Sequence, residues 1–203
     1  MKEFNKIDIN KMSKIYRLNL INSITGYKSA NLIGTKTNDQ INNVAVFSSV
    51  IHLGSDPALI GFILRPTTVP RHTYENIHKY GFFTLNQISE SQIKSAHQSS
   101  AKYSRETSEF SETGLGFEFK NKIEAPFVKD SPIQVGCKYV NEYKLRENNT
   151  ILMIGEIESV YLNKTLLMQD GWVRLDKGKI VAINGLDGYS LPKLIKRFSY
   201  ARP

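Results

Sequence analysis

Asn31 to Asn86 reads NLIGTKTNDQINNVAVFSSVIHLGSDPALIGFILRPTTVPRHTYENIHKYGFFTLN. An apolar run through Thr35 meets a polar turn, Lys36 to Asn42, and a second apolar run ends in Ser48-Ser49. Ala58 to Leu64 is wholly apolar, follows Asp56-Pro57 and stops at Arg65-Pro66. Short apolar runs bounded by turn residues predict strands, and bounding prolines favour a strand buried on both faces for Ala58 to Leu64. Arg71-His72-Thr73 then opens an expected helix, with Thr73 as its N-cap, Ile77 and Tyr80 facing inward and Gly81 closing it. Small hydroxyls and arginines therefore gather where strands end, which is where a rigid sheet can present loops to an anionic ligand.

Toward the N-terminus, Ser29 to Thr35 predicts a strand and Lys36-Thr37-Asn38-Asp39 a turn. Ile15 to Ile24 is expected as the first strand, although Leu18, Ile21 and Ile24 also have helical spacing. Residues 1–14 are polar, an arm or a short helix. Toward the C-terminus, Phe82 to Asn86 predicts a strand, and Ser89 with Gln92 forms a capping-box pattern for a helix to about Ser99. Lys102 to Gly114 is expected as loop plus a helical turn. From Ile133 to Leu145 the odd positions are apolar except Asn141, so a half-buried antiparallel strand is predicted. Asn148-Asn149 turns it into a long partner, Ile151 to Leu162, in which Gly155 marks a bulge or a close backbone approach. A last hairpin is expected between Trp172–Leu175 and Lys179–Asn184, followed by a basic tail, 191–203. The result is one domain spanning 1–203, a β-rich, mainly antiparallel fold (all-β or α+β) of seven or eight strands with a few short helices, spaced as in a barrel.

Composition sets wider bounds. With 203 residues, 40% hydrophobic and 23% charged, the chain is long enough for a real core and too apolar for disorder. Its 27 Lys+Arg against 19 Asp+Glu give +8, which favours anionic partners, although no run of five basic residues suggests a nucleic-acid arm. One cysteine, Cys137, excludes an internal disulfide framework and fits a reducing compartment. The N-terminus lacks a signal-peptide apolar core, and no apolar run approaches the ~18 residues of a membrane span. A cytoplasmic protein without membrane attachment is expected.

Elimination narrows the chemistry. There is no Walker loop, and Gly114-Leu115-Gly116 lacks the third glycine of a dinucleotide fingerprint. His52, His72, His78 and His97 have no metal-ligand spacing, Gly-x-Ser-x-Gly is absent, and Cys137 reads as a buried structural thiol. No catalytic side chain and no metal ligand is assigned. An anion site remains: Arg71, the Thr73 hydroxyl and the free amides of a helix N-terminus could bind phosphate, with Ser48 and Ser49 contributing hydroxyls. A plain N-cap beside a solvated arginine and two turn serines accounts for the same residues equally well.

Leu32-Ile33-Gly34-Thr35, Asn43-Val44-Ala45-Val46-Phe47-Ser48, Asp56-Pro57-Ala58-Leu59, Arg71-His72-Thr73-x-x-Asn76-Ile77 and Phe82-Phe83-Thr84-Leu85-Asn86 occur in that order. They continue through Ser108-Glu109-Phe110 and Gly114-Leu115, past Cys137 and Ile154-Gly155-Glu156, to Gly188-Tyr189. This ordered set resembles the flavin reductase-like family of FMN-binding split barrels, from about residue 15 onward. The resemblance implies a split β-barrel homodimer with FMN in a groove near the subunit interface. Backbone from Asn43, Ala45, Val46 and Phe47 to Ser49, with Leu64-Arg65, would face the isoalloxazine ring. Ser48, Ser49 and the Arg71-His72-Thr73 step would hold the ribityl phosphate. Phe47 and Tyr189 are candidates for packing near the ring or a nicotinamide pocket, with core and interface packing as their plainer roles. Many relatives carry Pro-Arg-Pro where this chain has Gly26-Tyr27-Lys28-Ser29, so Lys28 is the candidate basic group there.

The implied activity is hydride transfer from NAD(P)H to flavin, which needs stacked rings and no side-chain acid or base. An FMN-bound split-barrel oxidoreductase acting on another small substrate is a second reading. A third is a basic barrel that binds single-stranded nucleic acid. The aromatic residues are not interleaved with Lys and Arg along one strand, which argues against it.

Overall fold

The structure is a computed structural model that describes residues 1–37, 41–120 and 122–202. The turn expected at Lys36 to Asp39 therefore lies partly outside the described residues. Two helices open the chain, α1 (Lys6–Lys11) and α2 (Lys14–Ser23). Asn5 caps α1 by accepting from the Ile7 and Asp8 amides at 2.8 and 3.0 Å, while Asp8 accepts from the Asn5 amide. Ser13 caps α2. The strand expected at Ile15 to Ile24 is thus a helix: its apolar residues recur every three positions behind an N-cap, and that period prevails. Neither helix buries a residue, and α2 leaves Ile15 and Ile24 well exposed.

Eight strands follow up to residue 128: β1 (Lys28–Ser29), β2 (Asn31–Lys36), β3 (Asn42–Phe47), β4 (Val50–Ser55), β5 (Ala58–Leu64), β6 (Phe82–Gln87), β7 (Phe117–Glu118) and β8 (Phe127–Val128). Between β5 and β6 lies α3 (His72–Tyr80), and α4 (Ile93–Gln98) and α5 (Glu109–Thr113) precede β7. The long hairpin is β9 (Ile133–Leu145) and β10 (Thr150–Leu162), and β11 (Ala182–Asn184) and β12 (Gly188–Ser190) end the ordered elements. The sequence expectation had passed over β4, whose flanking Ser48-Ser49 and Gly54-Ser55 resemble loop. Gly81 closes α3 in the left-handed conformation, φ 74°, as a C-terminal glycine does.

Seven strands form one antiparallel sheet in the order β3-β2-β6-β9-β10-β5-β4. Its two edges, β3 and β4, are consecutive in the chain yet do not pair. The sheet curls into a barrel that stays split between them, and Ser48-Ser49 crosses the gap. Inside sits the main core, with Ile33, Phe62, Ile77, Phe83, Cys137 and Met153 fully buried. Phe47, Phe62 and Phe83 stack edge to face at 5.2 and 5.4 Å between ring centres. A second core lies outside β2 and β3, where Ala30, Leu32, Val44, Ile88, Ala96, Phe110 and Ile183 meet. The alternation Leu32-out, Ile33-in therefore buries β2 on both faces, each such side chain contributing ~1.5–3 kcal/mol.

Two further expectations are corrected. β9 is buried on both faces over its first five residues and exposes Val140 and Tyr143 beyond them, because β6 pairs only as far as Lys138. The last hairpin does not form. Arg174 clamps Asp176 through two bonds of 2.8 and 2.7 Å, which folds the chain into a local turn. The strand after it, β11, pairs instead with β1 and β12 in a small separate sheet. Among the described residues no helix is long and apolar enough to cross a membrane.

Gly155 carries both of its expected features. The β9–β10 register shifts beside it, and a Cβ there would overlap the ring edge of Phe83. Gly155→Ala should therefore destabilise the fold by ~1–3 kcal/mol in urea unfolding, through overpacking. An unchanged midpoint would show that the bulge tolerates a side chain.

Candidate functional site

The site is built around the head of α3. The helix begins at His72, not Thr73, and Arg71 occupies the N-cap position with no side-chain cap bond. Its first-turn amides thus have no side-chain cap among the described residues, with the positive end of the helix dipole behind them. The Arg71 amide donates to Glu75 Oε1 at 3.2 Å, and its Nε donates to the Pro66 carbonyl at 3.1 Å. That second bond ties half-buried Pro66, next to exposed Arg65, to the head of the helix. It also leaves both Arg71 Nη groups with no partner among the described residues. Glu75 pairs in addition with Arg105, so a second arginine stands at the first turn.

Thr73, expected as the cap, has another task. It is buried, and its hydroxyl donates to Asn43 Oδ1 at 3.3 Å. Thr35 Oγ1 donates to the same oxygen at 3.1 Å, and Asn76 Nδ2 donates to Thr35 and Thr37 at 3.0 Å each. The Asn43 amide nitrogen meets both oxygens of Glu109 at 2.8 Å, and the Val44 N–H donates to Glu109 Oε2 at 3.3 Å. Six polar side chains from β2, β3, α3, α5 and Thr37 thus form one satisfied network, of the kind that fixes a unique arrangement. Sequence reasoning quoted Glu109 only within Ser108-Glu109-Phe110 and gave it no role. The available signal was an acid beside a large hydrophobe in a very short helix, both of them buried.

Burial pushes the Glu109 carboxyl above the usual carboxylate range. Its own backbone, the Val44 amide, Asn43 and the nearby His72 offset only part of that rise. A folded value above the unfolded one means a contribution to stability that is full in acid and lost as pH rises through the folded value. The ionised carboxylate therefore costs stability at neutral pH.

The Val44 bond also orients β3. Val44 turns its amide away from β2, so by the two-residue period Val46 presents its backbone groups on the same open edge. Ser48, half-buried at the end of that edge, makes no side-chain hydrogen bond among the described residues. Ala45 is half-buried opposite Ile33, and Phe47 is half-buried on the inner face against Phe62. Leu64 is 2% exposed, so only its backbone can face a ligand. His72 is half-buried and acts on both Glu106 and Glu109.

Three expected residues point to other partners. Ser49 Oγ donates to the Ile63 carbonyl at 3.0 Å and accepts from its amide at 3.3 Å, which pins the β4–β5 edge. Lys28 Nζ donates to the Asn22 carbonyl at 2.6 Å, where it satisfies the C-terminus of α2. Tyr189 packs on the second core with its hydroxyl 3.4 Å from His97 Nδ1, and burial followed by the Asp187 charge raises its pKa. The structure thus joins Asn43 of β3 to Thr73 in the first turn of α3, beside Arg71 and His72, while Val46 and Ser48 lie further along the same strand and just past its end.

Comparison with known proteins follows that geometry. The profile of the family described as flavin reductase like domain matches residues 27–174. A candidate flavin reductase with a split barrel domain from Shewanella frigidimarina is 42% identical, with a TM-score of 0.95 over 99% of this chain and 100% of that one. Component B of nitrilotriacetate monooxygenase from Bacillus cereus is 20% identical, with a TM-score of 0.83 over 98% of each chain. An FMN-binding protein from Thermus thermophilus is 16% identical, with a TM-score of 0.69 over 86% of this chain and 91% of that one. The last two likenesses concern the fold. No curated protein sequence matches the chain.

The network makes its own prediction. Asn43→Ala leaves Glu109 with backbone donors alone, its own amide and that of Val44, and should cost about 3 kcal/mol in urea unfolding at neutral pH. Mild acid should shrink that loss, because a protonated Glu109 needs fewer donors. A loss that is the same at both pH values would show that the carboxylate is not the group left uncompensated.

Proposed function

The chain belongs to the flavin reductase-like family, and on that premise we propose that it binds FMN between the open edge of β3 and the head of α3 and passes hydride from NAD(P)H to flavin. The observation that carries this reading is the uncapped α3 N-terminus with the Arg71 guanidinium held beside it. A terminal phosphate is the ligand that such a place fits: open amides, a positive helix end and two free Nη groups accept its charge and its lone pairs. Ser48 supplies a hydroxyl, and Arg65 a further cation at the rim. Thr73 contributes its first-turn amide, since its hydroxyl proton is given to Asn43.

The ring half of the ligand fits the β3 edge. Val46 offers backbone donor and acceptor there, and Phe47 supplies an apolar wall braced by Phe62 and Phe83. When bound, FMN supplies a ring that accepts a hydride and then gives up its electrons. The protein's part is orientation and exclusion of water. Its rigid edge strand holds the ring plane, and the Glu109–Asn43 network holds that strand against α3. No side-chain acid or base is required of it.

We further propose a homodimer. Ile15, Leu18, Ile21 and Ile24 form an exposed apolar stripe on α2, and β4 adds Ile51 and Leu53 at the sheet edge beside the split. A second copy would cover both.

The test is a titration of purified protein with FMN, followed by anaerobic addition of NADH or NADPH. Bound flavin should lose its visible absorbance with one of the two nucleotides. Protein that takes up no FMN, or whose flavin neither nucleotide bleaches, would contradict the proposal. Arg71→Ala should weaken FMN binding by ~1–3 kcal/mol while leaving the unfolding midpoint nearly unchanged. Unaltered affinity would remove Arg71 from the phosphate site.

A further inference from the structure

We propose that Glu109 is a positioning residue for the flavin site, its carboxylate acting through Asn43 to hold the open edge of β3 at a fixed distance from the head of α3. The inference rests on the flavin reading above and adds to it a residue that would not itself touch the ligand.

The geometry is a chain of contacts with one direction of action. Glu109 lies on α5, outside the barrel and 5% exposed, and Ser108 anchors that helix by donating to the Asn42 carbonyl at 2.5 Å. Both carboxylate oxygens take the Asn43 amide nitrogen, and one also takes the Val44 amide. With its nitrogen so engaged, Asn43 must turn its oxygen toward Thr35 and Thr73. Thr73 is in the first turn of α3. The carboxylate thus determines which way Asn43 faces, and Asn43 joins the strand that frames the ring to the helix that holds the phosphate. β3 is an edge strand with no neighbouring strand on its far side among the described residues, so this contact satisfies one amide that a ladder would otherwise take.

A structural role alone gives a poor account of an ionised group here. Burial disfavours its charge, so at neutral pH the carboxylate subtracts from fold stability. An asparagine–apolar pairing of the same shape would not carry that cost. An acceptor-only group is what the arrangement needs: it can take three N–H bonds and offers no donor that would flip Asn43. The groups facing it are the neutral Asn43 and Val44 of β3 and the titratable His72 of α3. Glu106 precedes the same short helix.

The experiment measures FMN affinity from neutral to mildly acidic pH in wild type, Glu109→Gln and His72→Asn, with circular dichroism to verify folding. In wild type, affinity should fall in acid at a midpoint above the usual carboxylate range, as protonation puts a donor where Asn43 needs an acceptor. Glu109→Gln should bind FMN about tenfold more weakly at neutral pH and show no acid limb. His72→Asn should keep the limb, and so should wild type titrated with riboflavin, which lacks the FMN phosphate that itself titrates at about pH 6. Together these exclude His72 and the ligand as its source even if the glutamine variant does not fold. A limb seen with FMN but not with riboflavin overturns the inference. A folded Glu109→Gln protein with wild-type affinity and an unaltered profile overturns the inference, and so does a limb that vanishes with His72. Wild-type protein that binds no FMN overturns the flavin reading and this inference together.

Discussion

The contact on which the arrangement depends is the pairing of a buried carboxylate, Glu109, with the side-chain amide of Asn43. β3 ends the sheet, and its partner across the split, β4, does not pair with it. An edge strand left in that position has unsatisfied backbone groups and freedom to shift. Glu109 takes up one of those groups, at Val44, and through Asn43 it joins the strand to Thr73 of α3. Beyond that point Val46 carries its backbone groups on the side of β3 turned away from β2.

Arg71 shows how the same economy works at the helix. A residue with a short polar side chain at the N-cap would have satisfied the α3 amides internally. Arg71 does not, and its guanidinium is steadied by the Pro66 carbonyl through Nε alone. What remains is a place with several donors, where the one carboxylate of the first turn, Glu75, already accepts from the Arg71 amide. Glu75 in the first turn is occupied by Arg71 N–H and Arg105.

Much of this was legible in the sequence because period and punctuation agree. Ala58–Leu64, Phe82–Asn86 and the long β9–β10 hairpin read correctly from apolar runs, prolines and Asn148-Asn149. Gly155 and Gly81 announced a close approach and a helix end. α2 was misread because Ile15, Leu18, Ile21 and Ile24 satisfy two templates, and β4 because serine and glycine disguise a strand. The site divides in the same way. Arg71 was visible as a cation beside a helix start, and Ser48 as a hydroxyl at a strand end. Ser49, Lys28 and Thr73 were visible too, but their partners are Ile63, Asn22 and Asn43, contacts that only tertiary structure sets. Glu109 lies 66 residues from Asn43, and nothing local reports such a pairing. The last expected hairpin failed for a similar reason, since β11 finds its partner in β1, far upstream.

If the α3 head holds the phosphate of a flavin whose ring lies along β3, that phosphate carries a measurable share of the affinity. The direct measurement is a calorimetric titration of the protein with FMN and, separately, with riboflavin, which has the same ring and ribityl chain without the phosphate. FMN should bind at least about tenfold more tightly, since charge-assisted bonds to the phosphate are lost with riboflavin. Equal affinities for the two would place the phosphate away from the helix head.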